Sequence, residues 1–301
     1  MNEIGIILCY QLGTSEMLEI ALENVARYTD PALDYRIHLV YCATGEFDAD
    51  TSVLKGNITK VPLPKSPYSG DPLRCSWVHG WMLDTVIPRI DSKYIMTLDS
   101  DCFPVSEGWL TELYKKIQMQ KVGCVGITRP WYPLPWKPSF DPDSMAYEIW
   151  KHNTWDSTHV ACQMWEKEVL LSFNIGHRVG PDTGVLIPIY FRKMGYKVIG
   201  YRPSRSPKGD GEFDPEFNRS YGVIYGDKIY HHAGYSTKPA LAAEYPDVDD
   251  GSRHFDEARS RVIEERSAAW LLEDGNNHVF TFSREEEGLR TWLWETCGVR
   301  P

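Results

Sequence analysis

Short, uninterrupted apolar runs alternate with helix-length segments through the first half of this 301-residue chain. The runs occupy residues 4–9, 35–42, 58–63, 93–98 and 121–128. A strand that is apolar at nearly every position is buried on both faces of its sheet. Between the first two runs, Leu18, Leu22 and Val25 recur at helical spacing behind a capping residue, Thr14 or Ser15. Strands separated by helices predict the α/β class, with a mostly parallel, doubly wound sheet.

Later segments are less regular. The predicted elements are, in chain order, a helix over 73–87, a helix capped by Ser106, a loop over 129–140, a weak helix over 150–165, a helix over 183–195, a strand over 197–202, and a hairpin whose strands 223–225 and 228–230 flank Gly226-Asp227. Two loop residues of this kind predict a type II′ turn.

No repeat, low-complexity tract or clear linker divides the chain, which predicts one α/β domain over residues 1–240. Its halves are 1–128, where strands and helices alternate, and 129–240. Residues 241–301 contain amphipathic segments and are predicted to form a helical extension packed on the same domain.

Composition excludes several function classes. A formal net charge of −10 makes the chain a poor general binder of nucleic acid or of anionic membranes. No apolar run approaches the roughly 20 residues that span a bilayer. Seven cysteines, never spaced as C-x-x-C, favour reduced thiols and a cytoplasmic protein. The sequence also lacks G-x-x-x-x-G-K-[ST], H-E-x-x-H and G-x-S-x-G, and no G-x-G-x-x-G follows its first strand.

Two aspartates, Asp99 and Asp101, directly follow the apolar run at 93–98. Residues i and i+2 of an extended chain point to the same side, so these carboxylates converge. Ligands of open α/β sheets bind at the carboxyl ends of the strands. Oxygen ligands that leave room for water and phosphate suit Mg²⁺ or Mn²⁺. The pair therefore predicts a divalent metal site; the alternative is that Asp99 caps a turn and Asp101 is solvated.

This region resembles the metal centre of GT-A fold glycosyltransferases, particularly the family 2-like group. The strand ending in Asp99-Ser100-Asp101 is followed by Pro104 and a helix that begins Gly108-Trp109-Leu110, and the likeness extends over residues 3–236. It implies that 1–128 binds a nucleotide sugar and the metal, and that 129–240 forms the acceptor side. The implied activity is sugar transfer from a nucleoside-diphosphate sugar to an acceptor hydroxyl, with inversion and with Mn²⁺ or Mg²⁺ as cofactor. The acceptor stays open between a saccharide, a lipid carrier, a protein, a small metabolite and a modified nucleobase.

The resemblance also implies roles for single residues. Asp99 is expected to touch the ribose or a metal-bound water, and Asp101 to bind the metal that bridges the diphosphate. The first strand, turn and helix resemble the family's nucleotide-binding start, and His79 stands where a nucleotide-facing helix usually has Asn. The expected donor-binding residues are Tyr10, Thr14, Arg74, His79 and Asp99.

A basic cluster, Arg202, Arg205 and Lys208, interrupts this acidic chain. It is predicted to act as a lid whose cations meet the donor diphosphate. A solvated surface loop is the alternative.

A histidine commonly completes the metal site in the family, and this chain offers His231 and His232. Neighbouring residues on a strand face opposite ways, so one of the two is expected to reach the metal. The position after Ile229-Tyr230 favours His231. The alternative is a half-buried histidine bonded to backbone.

Asp182 is the predicted catalytic base, since Pro181-Asp182-Thr183-Gly184 resembles the family segment that holds the base for the acceptor hydroxyl. Pro181 replaces the usual Glu of that segment. Asp182 could instead be only a helix N-cap. The reserve candidates are Asp156, Glu166 and Glu168.

The chain holds 11 tryptophans, more than packing alone usually uses. Trp131, Trp136 and Trp155 fall where the family builds its acceptor side, which predicts stacking on the acceptor. Two other functions stay open: a nucleotidyltransferase that uses the same Asp99 and Asp101 site, and a non-catalytic glycan-binding relative.

Overall fold

The computed structural model describes residues 2–67, 75–128, 158–177, 183–184, 187–205 and 223–231, with backbone alone at 16, 17, 75–77, 205 and 223. Several sequence predictions lie outside the described residues. These are the loop over 129–140, the extension over 241–301, and the residues Arg74, Trp131, Trp136, Trp155, Asp156, Asp182, Lys208 and His232.

The described chain contains strands, α-helices and short 3₁₀ turns. The strands are β1 (Asn2–Tyr10), β2 (Tyr35–Cys42), β3 (Ile58–Leu63), β4 (Ser92–Asp99), β5 (Cys102–Pro104), β6 (Val122–Thr128), β7 (Thr158–Glu166), β8 (Lys197–Tyr201), β9 (Pro203–Arg205), β10 (Val223–Tyr225) and β11 (Ile229–His231). The helices are α1 (Ser15–Tyr28), α2 (Cys75–Val86), α3 (Trp109–Ile117), α4 (Lys167–Ser172) and α5 (Ile187–Lys193). The 3₁₀ turns are Ser52–Leu54 and Ile87–Arg89.

Seven strands form the main sheet in the order β3–β2–β1–β4–β7–β6–β8. All neighbouring pairs are parallel except those of β7, which runs antiparallel to β4 and β6. Successive residues of β1 belong to two different apolar layers. Ile6 is in the layer that contains residues of α1 and α3, and Ile7 is in the layer that contains residues of α2 and α5. Helices therefore cover both faces, and the predicted α/β class with a mostly parallel, doubly wound sheet is confirmed.

A second sheet has the order β5–β11–β10–β9 and is antiparallel throughout. Its first strand, β5, begins three residues after β4 ends. The second sheet is thus attached to the main sheet at the carboxyl end of β4, next to the aspartate pair.

The prediction of a weak helix that includes Trp165 is wrong, because residues 158–166 form strand β7. Nearly every residue of this strand is buried, including Trp165, since β7 lies between β4 and β6 with sheet neighbours on both sides. An amphipathic helix would expose one side. Thr158 and Val160 are β-branched residues, which favour a strand over a helix.

Three predicted boundaries also shift. The helix predicted over 183–195 begins at Ile187, with Pro188 in its first turn, and Gly184 belongs to the preceding turn at φ +65°. Helix α3 begins at Trp109 behind Gly108, whose φ of +72° needs glycine, rather than behind Ser106. Gly226 and Asp227 both have positive φ, 53° and 57°, which is the type I′ pattern and not type II′.

Candidate metal and donor site

The aspartate pair lies where β4 leaves the main sheet. Strand β4 is buried along most of its length, and Asp99 is its last residue, half-exposed at the carboxyl edge beside Cys9 of β1. After Ser100, Asp101 is only 2% exposed. A carboxylate this deeply buried is costly unless a cation or hydrogen-bond donors compensate its charge.

His231 joins the pair from the second sheet. In the antiparallel pair of β5 and β11, His231 is level with Cys102, the residue after Asp101. His231 is 3% exposed, and its Nε2 lies 3.7 Å from Oδ1 of Asp101. Ile229 and His231 are buried while Tyr230 between them is half-exposed, as alternation on a strand requires.

Asp99, Asp101 and His231 form a group that can hold a metal ion. One ligand atom from each lies within 4.8 Å of the others. Two ligands at about 2.1 Å from an octahedral ion are about 3.0 Å apart when neighbouring and about 4.2 Å apart when opposite, so the three side chains would draw closer together to bind one ion. Two carboxylates and one imidazole suit Mg²⁺ or Mn²⁺, with remaining positions for water or phosphate.

His79 contacts the same group from helix α2. Its Nε2 lies 3.3 Å from Oδ1 of Asp99, and both side chains are about one-fifth exposed, 21% and 23%. The sequence placed His79 against the nucleotide, and the structure places it beside the first aspartate. In this position the imidazole orients the Asp99 carboxylate.

The turn after β1 is fixed by a carboxylate that the sequence analysis missed. Asp48 accepts hydrogen bonds from the Tyr10 hydroxyl at 2.6 Å and from the Gly13 amide at 2.8 Å. The bond from Tyr10 lowers the pKa of Asp48, while burial and Asp48 raise the pKa of Tyr10. Asp48 follows β2, one strand away from β1 at the same sheet edge. The sequence could have indicated Asp48 as a site residue, because it lies in the loop after a parallel strand, where ligands of open α/β sheets bind.

Aromatic side chains gather at this turn. The ring of Phe47 lies 5.8 Å from that of Tyr10 and 5.0 Å from that of Tyr41, and Lys60 Nζ is 3.8 Å from the Phe47 ring centre. The hydroxyl of Thr14, predicted to bind the donor, donates to the Gln11 carbonyl at 2.8 Å and stabilises the turn.

The charges of the aspartates affect neighbouring groups. Burial and then the charge of Asp99 raise the pKa of the Cys9 thiol well above its usual range. Burial and the charge of Asp101 likewise raise the pKa of Tyr230. Both groups therefore stay protonated at neutral pH, and Cys9 is not a thiolate nucleophile.

Arg202 lies at the same edge of the main sheet but not beside the aspartates. It directly follows β8, three strand spacings or about 14 Å from β4. Its side chain is exposed, and its carbonyl accepts a hydrogen bond from Gly226. Arg205 is in β9, and its side chain lies outside the described atoms.

Two reserve candidates for the base are removed by the fold. Glu166 pairs with Tyr94, five residues before Asp99 on β4, and Glu168 follows in the first turn of α4. Five residues of strand span about 16 Å, so both glutamates lie at the opposite edge of the sheet from the metal group.

The sequence analysis missed two further histidines, one at the start of β7 and one after α4. His159 is half-buried at the start of β7, and its ring centre is 5.4 Å from that of His231. His177 is 2% exposed and donates from its amide to Oδ1 of Asp84 at 2.6 Å, with Nδ1 3.1 Å from the same oxygen.

No model of a known protein family matches the chain, and no curated protein matches its sequence. Solved structures do match. PcManGT, a mannosyltransferase from Pyrobaculum calidifontis in complex with GDP-Man and Mn²⁺, is 14% identical with a TM-score of 0.48, over 100% of this chain and 81% of that one. An active-site mutant of LgtC is 12% identical with a TM-score of 0.48, and the match covers 94% of this chain and 99% of that one. A 4-diphosphocytidyl-2C-methyl-D-erythritol synthase from Anaerococcus prevotii is 15% identical with a TM-score of 0.40, and the match covers 67% of this chain and 87% of that one.

At these identities the likeness is one of fold alone. Because the TM-scores are also below 0.5, these matches assign neither a family nor a substrate to this chain, and the GT-A resemblance stays a prediction from the sequence. Within the described residues, none of the helices is long and apolar enough to cross a membrane.

Proposed function

We propose that this chain is a metal-dependent glycosyltransferase that moves a sugar from a nucleoside-diphosphate sugar to an acceptor hydroxyl. One observation carries the proposal: Asp99, Asp101 and His231 converge at the carboxyl edge of a mostly parallel sheet. This is the edge at which open α/β sheets bind nucleotides.

The described residues divide the work of holding the donor. Asp101 and His231, both buried, would hold a divalent ion together with Asp99, whose carboxylate is contacted by His79. A bound ion would supply Lewis-acid stabilisation of the negative charge on a departing diphosphate.

The nucleoside end of the donor belongs at the turn after β1. Tyr10 and Phe47 offer ring faces, and the exposed Asp48 offers carboxylate oxygens to N–H or hydroxyl donors of a nucleoside. This turn lies beside the end of β4, because Cys9 and Asp99 are level in adjacent strands. A nucleotide at the turn would thus direct its phosphates toward the metal group.

Asp182 stays the proposed base, and inversion follows if it takes the acceptor proton in one displacement. Trp131, Trp136 and Trp155 stay the proposed acceptor contacts. Neither the sugar nor the acceptor is assigned.

The test is an assay of the purified chain with UDP-sugars and GDP-sugars in the presence of Mn²⁺, with products identified by mass spectrometry and NMR. A glycosyltransferase releases a nucleoside diphosphate, with the sugar on an acceptor or on water. A nucleotidyltransferase given sugar phosphate and nucleoside triphosphate releases pyrophosphate instead. Binding of the donor without turnover would support a non-catalytic relative and contradict the proposal.

A further inference from the structure

His159 occupies the same edge of the main sheet as the aspartate pair. In the antiparallel pair of β4 and β7, Leu98 is level with Cys162. The first residues of β7, His159 among them, therefore lie beside the end of β4 that leads into the aspartates. The ring of His159 packs at 5.4 Å and 37° against the ring of His231. His159 is thus adjacent to the metal group but absent from it.

A backbone hydrogen bond sets which nitrogen of His159 carries the proton. The Ala161 amide donates to Nδ1 of His159 at 3.3 Å. An accepting nitrogen cannot hold the proton of a neutral imidazole, so that proton lies on Nε2. A protonated nitrogen has no lone pair for a metal ion. This hydrogen bond therefore makes His159 a donor, in contrast to His231, whose Nε2 faces the Asp101 carboxylate.

The charge balance of the metal group favours a hydrogen bond from His159 to a bound anion. The charges of Asp99 and Asp101 together balance one divalent ion. A diphosphate bound to that ion then carries negative charge that only hydrogen-bond donors and more distant cations can meet. Hydrogen bonds to ionised oxygens are stronger than those between neutral groups.

We propose that His159 is a donor-binding residue whose Nε2–H donates to a non-bridging oxygen of the diphosphate on the Asp99, Asp101 and His231 metal group. The proposal rests on the proposed function, because it requires a diphosphate ligand at that group. The proposed contact to phosphate comes from β7, the strand that is paired with β4 and therefore adjacent to the aspartates.

Four substitutions separate this role from metal ligation. His159→Leu removes the N–H donor and keeps an apolar group of similar size. His159→Gln restores an N–H donor near the position of Nε2. His231→Leu is the matched control, since it removes an imidazole that faces the metal group. His159→Asn is a second variant without a donor at the Nε2 position, in case Leu disturbs the end of β7.

The experiment measures two affinities for each variant: that for Mn²⁺ alone, by electron paramagnetic resonance of free Mn²⁺, and that for UDP or GDP with saturating Mn²⁺, by calorimetry. We expect His159→Leu and His159→Asn to leave the affinity for Mn²⁺ unchanged. We expect both to weaken nucleoside-diphosphate binding by about tenfold, as loss of a hydrogen bond to a charged group does. His159→Gln should recover most of that loss.

Two results would overturn the proposal for His159. One is nucleoside-diphosphate affinity of His159→Leu and His159→Asn equal to that of the wild type. The other is a loss of affinity for Mn²⁺ alone as large as that in His231→Leu. Failure of the wild type itself to bind UDP or GDP with Mn²⁺ is a separate result, which would overturn the proposed function and this proposal together.

Discussion

Nε2 of His231 lies 3.7 Å from Oδ1 of Asp101, although the two residues are 130 positions apart in the sequence. The contact exists because β11 pairs with β5, so that His231 is level with the residue that follows Asp101. The second sheet therefore has a chemical role: it brings a buried imidazole to a buried carboxylate at the edge of the first sheet.

This relationship predicts unequal effects at the two adjacent histidines. His231→Ala should weaken Mn²⁺ binding by more than the roughly 10–100-fold that follows loss of a residue that only orients a ligand. His232→Ala should change it little, because the next residue of a strand faces the other way. Mn²⁺ titration of both variants checks this. Equal affinities in the two variants and the wild type would show that β11 does not contribute a ligand.

The proposed base predicts a loss of turnover without a loss of stability. Asp182→Asn should lower turnover at saturating acceptor by about 10²–10⁴-fold, because Asn cannot accept the proton of the acceptor hydroxyl. Its melting temperature and nucleoside-diphosphate affinity should match the wild type, since Asn keeps the size and polarity of Asp, and the helix that follows begins only at Ile187. Turnover within a few-fold of the wild type would exclude Asp182 and leave Asp156 as the remaining reserve candidate.

The sequence predicts the fold where the pattern is local. Strands such as β1 and β4 are continuous apolar runs, and their alternation with helices determines a parallel sheet. The aspartate pair is also local, since two residues at the end of one strand converge in any such fold. Strand β7 was not predicted, because its burial comes from two neighbouring strands and not from its own periodicity.

Long-range contacts explain the remaining differences. Asp48, in the loop after β2, accepts a hydrogen bond from the Tyr10 hydroxyl, and Asp84 of α2 accepts one from the amide of His177, which follows α4. Neither pair has a sequence spacing that indicates contact. His159 belongs to the same group, since its position depends on the register of β7 with β4.

The buried pair of Asp84 and His177 predicts a large effect on stability. Oδ1 of Asp84 is the acceptor for the His177 amide at 2.6 Å and lies 3.1 Å from Nδ1, and both side chains are nearly inaccessible. Asp84→Ala should lower the free energy of unfolding by about 3–5 kcal/mol, because it leaves buried donors without this acceptor.

An ion pair that is far less buried gives the control. Lys116 lies 2.8 Å from Glu112 within α3, both side chains are about one-third exposed, and Lys116→Ala should cost about 1 kcal/mol or less. Urea denaturation of both variants checks the difference. A similar small cost for Asp84→Ala would contradict a structural role for the buried pair.

The hydrogen bond between Tyr10 and Asp48 predicts a pH effect. Because the Tyr10 hydroxyl lowers the pKa of Asp48, Tyr10→Phe should raise that pKa toward its ordinary value, as measured by carboxyl ¹³C NMR. A lowered pKa stabilises the fold above the unfolded value of about 3.9, and the contribution is lost as the pH falls through the folded pKa. The difference in stability between wild type and Tyr10→Phe should therefore shrink below about pH 4. An unchanged Asp48 pKa in Tyr10→Phe would show that another group lowers it.

Metal dependence in Asp101→Asn tests the proposed function most directly. Donor turnover by the wild type should disappear in EDTA and return with Mn²⁺ or Mg²⁺. Asp101→Asn, which keeps the volume of the buried side chain, should melt near the wild-type temperature and stay inactive at every Mn²⁺ concentration tested. Wild-type turnover that survives complete chelation, or full turnover by Asp101→Asn, would contradict a catalytic metal held by Asp99, Asp101 and His231.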